Sequence, residues 1–377
     1  MELQQGIESS GTFPDQPTKK QFALEFHGTG SEYFRIWIVN ISLTILTLGI
    51  YSAWAKVRKM QYFYGNSQLA GGTFEFTANP INILKGRVLV FGLFIAYQLA
   101  SVFQPVLALV LAVIFIPFIP WVIIKAISFN LRYSSYRGLH FHFDGQYWEA
   151  FRVYVLLTLA IPLSLGFAYP WVAWRRKQFF VDNTRYGTSS FGFSGAIGHF
   201  YTVYVVGWLI MSGIALAVAL LIAAAAFVGP MLGLDPKDMM NIDGEVNEQV
   251  LATIGVVVGI VAYGFFILAF LAINTGILAL IANHVWQRTT IAGSLEFNLD
   301  LNAWKIVGIQ ITNILAIIFS VGLAIPWTTV RMVRYKASRF TMIAAPSTLE
   351  SFIASERDSI SATGTELGDA MDLNLGI

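Results

Sequence analysis

The stretch from Gly49 to Arg58, GIYSAWAKVR, carries a frame, Gly-x4-Trp-x3-Arg, on which the rest of the chain depends. The frame returns as Gly166, Trp171 and Arg175, and again as Gly322, Trp327 and Arg331. The flanks keep step. Adding 117 carries Gly28, Glu32, Phe34 and Arg35 onto Gly145, Glu149, Phe151 and Arg152, and Gln61, Asn66, Phe74 and Phe76 onto Gln178, Asn183, Phe191 and Phe193. A further 156 takes Phe141 to Phe297, Asp144 to Asp300 and Gly166 to Gly322. A period this long points to duplicated supersecondary units rather than a short-repeat solenoid.

Composition sets the environment of those units. Of 377 residues, 56% are hydrophobic, 15% aromatic and 12% charged. That is half the charged share of a soluble chain, which is about 25%. Several apolar runs are long enough to cross a hydrocarbon core of about 30 Å. The chain therefore reads as a mostly α-helical, polytopic membrane protein. The absence of cysteine excludes disulfides, thiolate metal sites and a cysteine nucleophile. No sustained basic patch suggests nucleic acid, and no cofactor motif is present.

Taken in order, residues 1–21 are polar and read as a disordered lead-in, without the apolar core of a cleavable signal. The first unit covers 22–76, from a short strand at Phe22–Phe26 to another at Thr73–Phe76. Two apolar helices joined at Gln104-Pro105 make a transmembrane hairpin over 77–128. The second unit covers 129–193. A longer transmembrane hairpin follows over 194–282, with an acidic loop at 229–250. The third unit covers 283–345, and 346–377 reads as a disordered acidic tail.

Each unit holds about 20 apolar residues, enough for one spanning helix. Seven simple spans would follow, and successive units would be inverted. The basic loops at 55–86 and 175–198 would then face opposite sides, against the positive-inside rule. The preferred alternative is a re-entrant hairpin with its tip at Thr47-Leu-Gly49, Ser164-Leu-Gly166 and Ser320-Val-Gly322. Glycine supplies the turn, and the hydroxyl before it can satisfy a freed backbone group. Pro170 and Pro326 suit the first turn of a returning helix. On this reading the short strands lie at the cytoplasmic interface.

The sharpest candidate site is the column Arg58, Arg175 and Arg331. Three guanidiniums on equivalent elements could grip a phosphate or carboxylate. The bland reading makes them interfacial anchors, with Trp54, Trp171 and Trp327 as an aromatic belt and Gly49, Gly166 and Gly322 as structural turns. Asn40 and Asn313 are equivalent polar positions inside apolar segments, suited to interhelical hydrogen bonds or to a polar path. Glu32 with Arg35, and Glu149 with Arg152, have helix-pair spacing and read as a structural clasp. His140 and His142 would share one strand face, but a metal site lacks further ligands at metal-binding spacing. The remaining histidines, His27, His199 and His284, are scattered.

The run GTGSEYFRIWIVNISLTILTLGIYSAWAKVRKMQYFYGN, with the later NTRYGTSSFGF, resembles the YjgN-like bacterial inner-membrane proteins. The resemblance extends from Phe22 to Met342. It implies a bacterial cytoplasmic membrane and carries over no catalytic residue and no substrate. The third unit departs from the pattern, with Leu301 at the position of Gly28 and Lys305 at that of Glu32. Two functional classes are expected. One is transport, a channel, or lipid handling, with an anionic solute or lipid headgroup as partner besides the bilayer. The other is a non-enzymatic scaffold binding proteins at its cytoplasmic face. An embedded enzyme is the weakest class, since no nucleophile or acid–base constellation stands out.

Overall fold

The computed structural model describes residues 19–231 and 248–363. Its plan is a strand, a helical hairpin, a strand pair, and so on until five hairpins have been inserted. The chain runs β1 (Lys20–Phe26), α1 (Gly30–Leu46), α2 (Ser52–Gly65), β2 (Ser67–Leu69) and β3 (Gly72–Phe76). The second hairpin is α3 (Pro80–Phe103), then α4 (Pro105–Phe115) and α5 (Phe118–Arg132), which bend by 50° at the break between them. After β4 (Ser134–Tyr136) and β5 (Leu139–Phe143), the third rises through α6 (Tyr147–Phe151), a π-helical turn (Arg152–Leu156) and α7 (Leu157–Leu163). It returns as α8 (Tyr169–Asp182) to β6 (Thr184–Tyr186) and β7 (Ser189–Phe193). The fourth is α9 (Ile197–Met231) and α10 (Glu248–Gln287), followed by β8 (Thr289–Ile291) and β9 (Leu295–Leu299). The fifth is α11 (Ala303–Phe319) and α12 (Ile325–Ala337); β10 (Phe340–Ala344) and α13 (Pro346–Thr363) complete the described chain.

The ten strands close into one barrel, antiparallel throughout, because β1 pairs with both β2 and β10. Every helical hairpin leaves from one end, and the tight strand turns lie at the other. Burial alternates as a half-buried strand requires. Phe22, Leu24 and Phe26 are less exposed than Gln21, Ala23 and Glu25, and Phe74 and Phe76 than Thr73 and Glu75. Phe22, Leu24 and Phe74 join one cluster with Tyr136, Leu139, Tyr186, Ile291, Leu295, Phe297 and Met342, while Phe26 and Phe76 pack into separate clusters with the helices. The barrel is filled, not hollow. Two phenols brace it: Tyr136 Oη donates to the Leu69 carbonyl at 2.7 Å and Tyr186 Oη to the Tyr136 carbonyl at 2.9 Å.

All five hairpins are rooted alike. The residue just past each incoming strand donates its N–H to the carbonyl just past the returning helix. These bonds are His27 to Asn66, Thr77 to Tyr133, Asp144 to Asn183, Ser194 to Arg288 and Asp300 to Arg339, all between 2.9 and 3.1 Å. At four roots the next residue also returns a hydroxyl to a helix carbonyl four residues back: Ser67 to Phe63, Ser134 to Asn130, Thr184 to Phe180 and Thr289 to Val285. Helix C-termini leave four carbonyls without intrahelical partners. The strand that follows supplies one of those partners.

Several expectations change here. The short strands expected at the cytoplasmic interface close into one ten-stranded barrel, with partners from distant parts of the chain. Lys20 and Gln21 belong to β1, and the expected disordered tail begins with helix α13. Residues 1–18, 364–377 and most of the acidic 229–250 loop lie outside the described residues. Continuous helices over the three glycine-bearing segments are not found. Each breaks into two helices that pack on one another, α1 on α2, α7 on α8, and α11 on α12.

Candidate functional site

The three breaks share one hydrogen-bond pattern. Gly49 N donates to the Thr44 carbonyl at 2.7 Å, Gly166 N to Ile161 at 2.8 Å and Gly322 N to Ile317 at 2.8 Å. The preceding residue is left-handed in each, Leu48 at φ 49°, Leu165 at 52° and Val321 at 51°, and the glycines lie at 92°, 94° and 89°. The hydroxyl before the turn accepts from the returning helix: Thr47 from Tyr51 N, Ser164 from Ala168 N and Ser320 from Ala324 N, at 2.8–2.9 Å. Backbone groups at the reversal are thus satisfied from within the hairpin. The side chains beside the glycines are bare: Leu48 is 94% exposed, Leu165 90% and Val321 92%.

The hairpins come in two lengths. At 1.5 Å per residue, α1 with its 17 residues is about 25 Å long and α9 with 35 about 52 Å. Among the described residues, three helices are long and apolar enough to span, at Pro80–Phe103, Ile197–Leu220 and Gly259–Gln287, and the bent pair α4–α5 makes a fourth if it is one span. Long and short hairpins alternate around the ring, which closes where α12 packs on α1. At that seam the Trp327 ring stacks near Phe34 at 4.9 Å. Gly30 makes room for it: a Cβ there would meet Trp327 at 2.3 Å. Trp54 stacks on Tyr51 at 6.0 Å instead, and Trp171 is half-buried on α8. The three tryptophans occupy equivalent positions with different neighbours.

The arginine column diverges in the same way. Arg58 is exposed and lies over the Tyr51 ring at 5.7 Å. Arg175 donates to Gln178 Oε1 at 2.6 Å and lies over Trp174 at 5.8 Å. Arg331 donates to Thr312 Oγ1 at 2.9 Å and to Asn313 Oδ1 at 3.4 Å. Asn313 is buried and its amide donates to the Thr328 carbonyl at 3.3 Å, tying α11 to α12. Asn40 is buried in α1, and its Oδ1 has no partner among the described residues. In the third hairpin the guanidinium that turns inward is Arg176, bonded to Thr158 Oγ1 at 2.7 Å and over the Tyr154 ring at 5.3 Å.

Glu32 belongs to a capping box. Its carboxylate accepts from Thr29 N at 3.3 Å and from Tyr62 Oη at 3.2 Å, while Thr29 Oγ1 accepts from Glu32 N. Bonds from the Thr29 side chain and backbone hold its carboxyl below the ordinary carboxylate value. Glu149 meets Asn183 at 3.3 Å. The hydrogen bonds of both carboxylates go to residues other than the arginines three positions on, and Arg35 adds only an electrostatic contribution to Glu32.

Sequence reading missed two groupings. His199 on α9 and His284 on α10, scattered along the chain, stack at 4.2 Å, and each has a buried Nε2 without a hydrogen bond among the described residues. Helix α13 closes the turn end of the barrel, with Leu349 and Ile353 in the barrel cluster. Glu356, only 5% exposed, accepts from Thr188 N, from Thr188 Oγ1 at 2.8 Å and from Ser189 Oγ. Arg357 donates to the Arg137 carbonyl at 2.7 Å. The apolar spacing of Leu349, Phe352 and Ile353, with Glu356 one turn on, was the available signal. His140 bonds the Arg132 carbonyl at 2.9 Å, and among the described residues no group of three His, Asp or Glu could hold a metal.

Comparison with known proteins follows the same outline. The family described as "Bacterial protein of unknown function (DUF898)" matches residues 21–370. The chain is similar to the inner membrane protein YjgN of Salmonella typhimurium, 33% identical over 147 residues, 38% of this chain and 37% of that protein. It is also similar to YjgN of Escherichia coli K12, 30% identical over 141 residues, 36% of this chain and 35% of the relative. The matched stretch thus spans little more than a third of these relatives. No solved structure matches.

Proposed function

The chain belongs to the DUF898 family and is an inner-membrane protein, and on that premise we propose that it handles anionic lipid at the cytoplasmic leaflet. The observation that carries this reading is the set of three short hairpins, each ending in an apolar residue at least 90% exposed. The arginines follow nine residues after each glycine, about 13 Å along a helix. A tip reaching the middle of a core about 30 Å thick would set them near the headgroups. Two long hairpins hold the assembly across the bilayer, and three short ones enter a single leaflet as repeated re-entrant units. The filled barrel weighs against a solute path along its axis and favours lipid over solute.

The test uses a chain without native cysteine. Cysteines at Leu48, Leu165 and Val321 carry an environment-sensitive fluorophore, and the protein is placed in nanodiscs with brominated lipids. All three sites are expected to be quenched, more strongly when the brominated lipid is phosphatidylglycerol than phosphatidylcholine. Joint Arg58→Gln, Arg175→Gln and Arg331→Gln substitution is expected to abolish that preference. Tips that stay unquenched and reachable by a water-soluble quencher would sink the reading. A scaffold role draws on the polar cleft of about 530 Å³ at the barrel rim, bordered by Arg137, Glu350 and Arg357. It predicts that substitutions there alter a cross-linked partner and leave lipid quenching untouched.

A further inference from the structure

The tip of the third hairpin and the two long helices beside it border a half-open cavity of about 450 Å³. That volume falls within the range of about 300–1,000 Å³ common to small-molecule sites. Phe167 and Tyr169 line one side, Tyr204 and Trp208 come from α9, and Phe270 and Asn274 from α10. The two hairpins meet through their rings: Tyr169 stands edge-on to Tyr204 at 5.0 Å and Phe167 edge-on to Trp208 at 6.0 Å. Gly207 lets the long helices lie close here, since a Cβ would come within 2.4 Å of Ile277 Cδ1.

The chemistry of this wall is mixed in a particular way. Two phenols, an indole and one carboxamide face an otherwise aliphatic and aromatic chamber. Tyr and Trp combine an apolar body with a polar tip, and favour places where one end of a ligand is wet. Six residues after Tyr169, about 9 Å along α8, comes Arg175. Its guanidinium lies over Trp174, whose indole donates to the Gly195 carbonyl at 2.8 Å and whose ring packs on the α9 cluster of Phe200 and Val203. Arg175 therefore stands beside the α8–α9 contact, less than two helical turns beyond the cavity wall. Gln178 takes one of its five donors.

We propose that this cavity is a lateral site for one anionic glycerophospholipid of the surrounding bilayer. An acyl chain packs among Phe167, Trp208 and Phe270. Tyr204 donates to the Tyr169 phenol, the glycerol ester carbonyls accept from Tyr169 and Asn274, and the phosphate meets Arg175. The site rests on the lipid-handling reading and gives it an address: of the three short hairpins, the one ending in α8 has a long helix pair against its tip that forms a chamber.

The experiment uses the full chain in phosphatidylcholine nanodiscs. They contain trace phosphatidylglycerol or trace phosphatidylcholine, each with a photoactivatable acyl chain, and adducts are mapped by mass spectrometry. Adducts are expected on peptides holding Trp208 and Phe270, with phosphatidylglycerol favoured about tenfold: both lipids offer Arg175 a phosphate, and only phosphatidylcholine brings a second cation beside the guanidinium. Asn274→Trp, or Met211→Trp from the facing helix, fills the chamber and is expected to remove these adducts while those near Leu48 and Val321 persist. Arg175→Gln is expected to equalise the two lipids at the cavity. Cavity adducts that survive both tryptophan variants, or that show no headgroup preference, overturn the proposal. Adducts at Leu48 and Val321 in that case still uphold the broader reading. Loss of adducts at those tips as well removes both.

Discussion

Removing the Glu356 carboxylate should release the C-terminal helix from the barrel. It accepts three hydrogen bonds from the β6–β7 turn while 5% exposed. A hydrogen bond to a charged group contributes about 1.5–3 kcal/mol. The three share one carboxylate, and water replaces part of what is lost when α13 lifts, so they are not additive. We take the net loss in Glu356→Ala as about 2–3 kcal/mol, a factor of about 30 to 150 in the closed-to-open ratio. Hydrogen exchange of the amides between Leu349 and Arg357, measured in nanodiscs, reads that ratio directly when opening is local. Glu356→Gln keeps one carbonyl acceptor and should cost less than tenfold. Arg357→Ala should change exchange only a few-fold, since that contact is exposed. If Glu356→Ala leaves the protection of α13 within threefold of the parent, the carboxylate does not hold the helix. Equal loosening of β1 would mean that the barrel itself had been damaged.

Three further outcomes are expected. Tyr186→Phe strips the donor from the buried Tyr136 carbonyl and should destabilise the barrel by about 1–3 kcal/mol, read as a lower thermal midpoint in detergent. Burial pushes the Tyr136 and Tyr186 phenols up. Their contribution should be intact below the ordinary tyrosine value and lost as pH rises beyond it, with phenolate absorbance appearing late in the folded protein. Glu32 runs the other way. Its depressed value means that its cap is complete above the unfolded carboxylate value and is lost as pH falls through the folded one. Amide exchange at the start of α1 should follow that window, and Glu32→Gln should remove the pH dependence. Finally, Glu25, Glu75, Ser190 and Asp300 are exposed near one closed barrel. Single cysteines there should all be protected from an impermeant reagent in intact cells, and labelling of only some would contradict the barrel.

What could be read in the sequence follows the range of the interactions. The three tips were legible because their cause is local: a glycine at positive φ, a hydroxyl two residues earlier and, in α8 and α12, a proline in the returning helix. The phenylalanine pairs of β3 and β7 were legible as strands because they alternate. The barrel was not. Phe22 lies opposite Met342, and Phe191 opposite Ile291, and no short window contains such pairs. The strands Ser67–Leu69, Ser134–Tyr136, Thr184–Tyr186 and Thr289–Ile291 are too short to show a period. The repeat itself misled in one respect. It set the glycine-bearing segments apart from the long helical pairs, although the hydrogen bonds at the roots are the same for all five. His199 and His284 meet only because α9 and α10 are antiparallel, and Arg176 turned inward where the repeat had singled out Arg175.

The closure of β1 on β10 has a consequence for biosynthesis. The first strand is made early, yet its second neighbour leaves the ribosome only after all five hairpins have been synthesised. Joining ends so far apart carries the loop-closure entropy of nearly the whole chain. Until then β1 keeps an unpaired edge, a template for wrong pairing. Insertion of the long hairpins draws their strand pairs together in the plane of the bilayer before that last partner arrives. The membrane thus serves as the jig on which the barrel is assembled, and a chain truncated before Phe340 would be inserted but unable to lock.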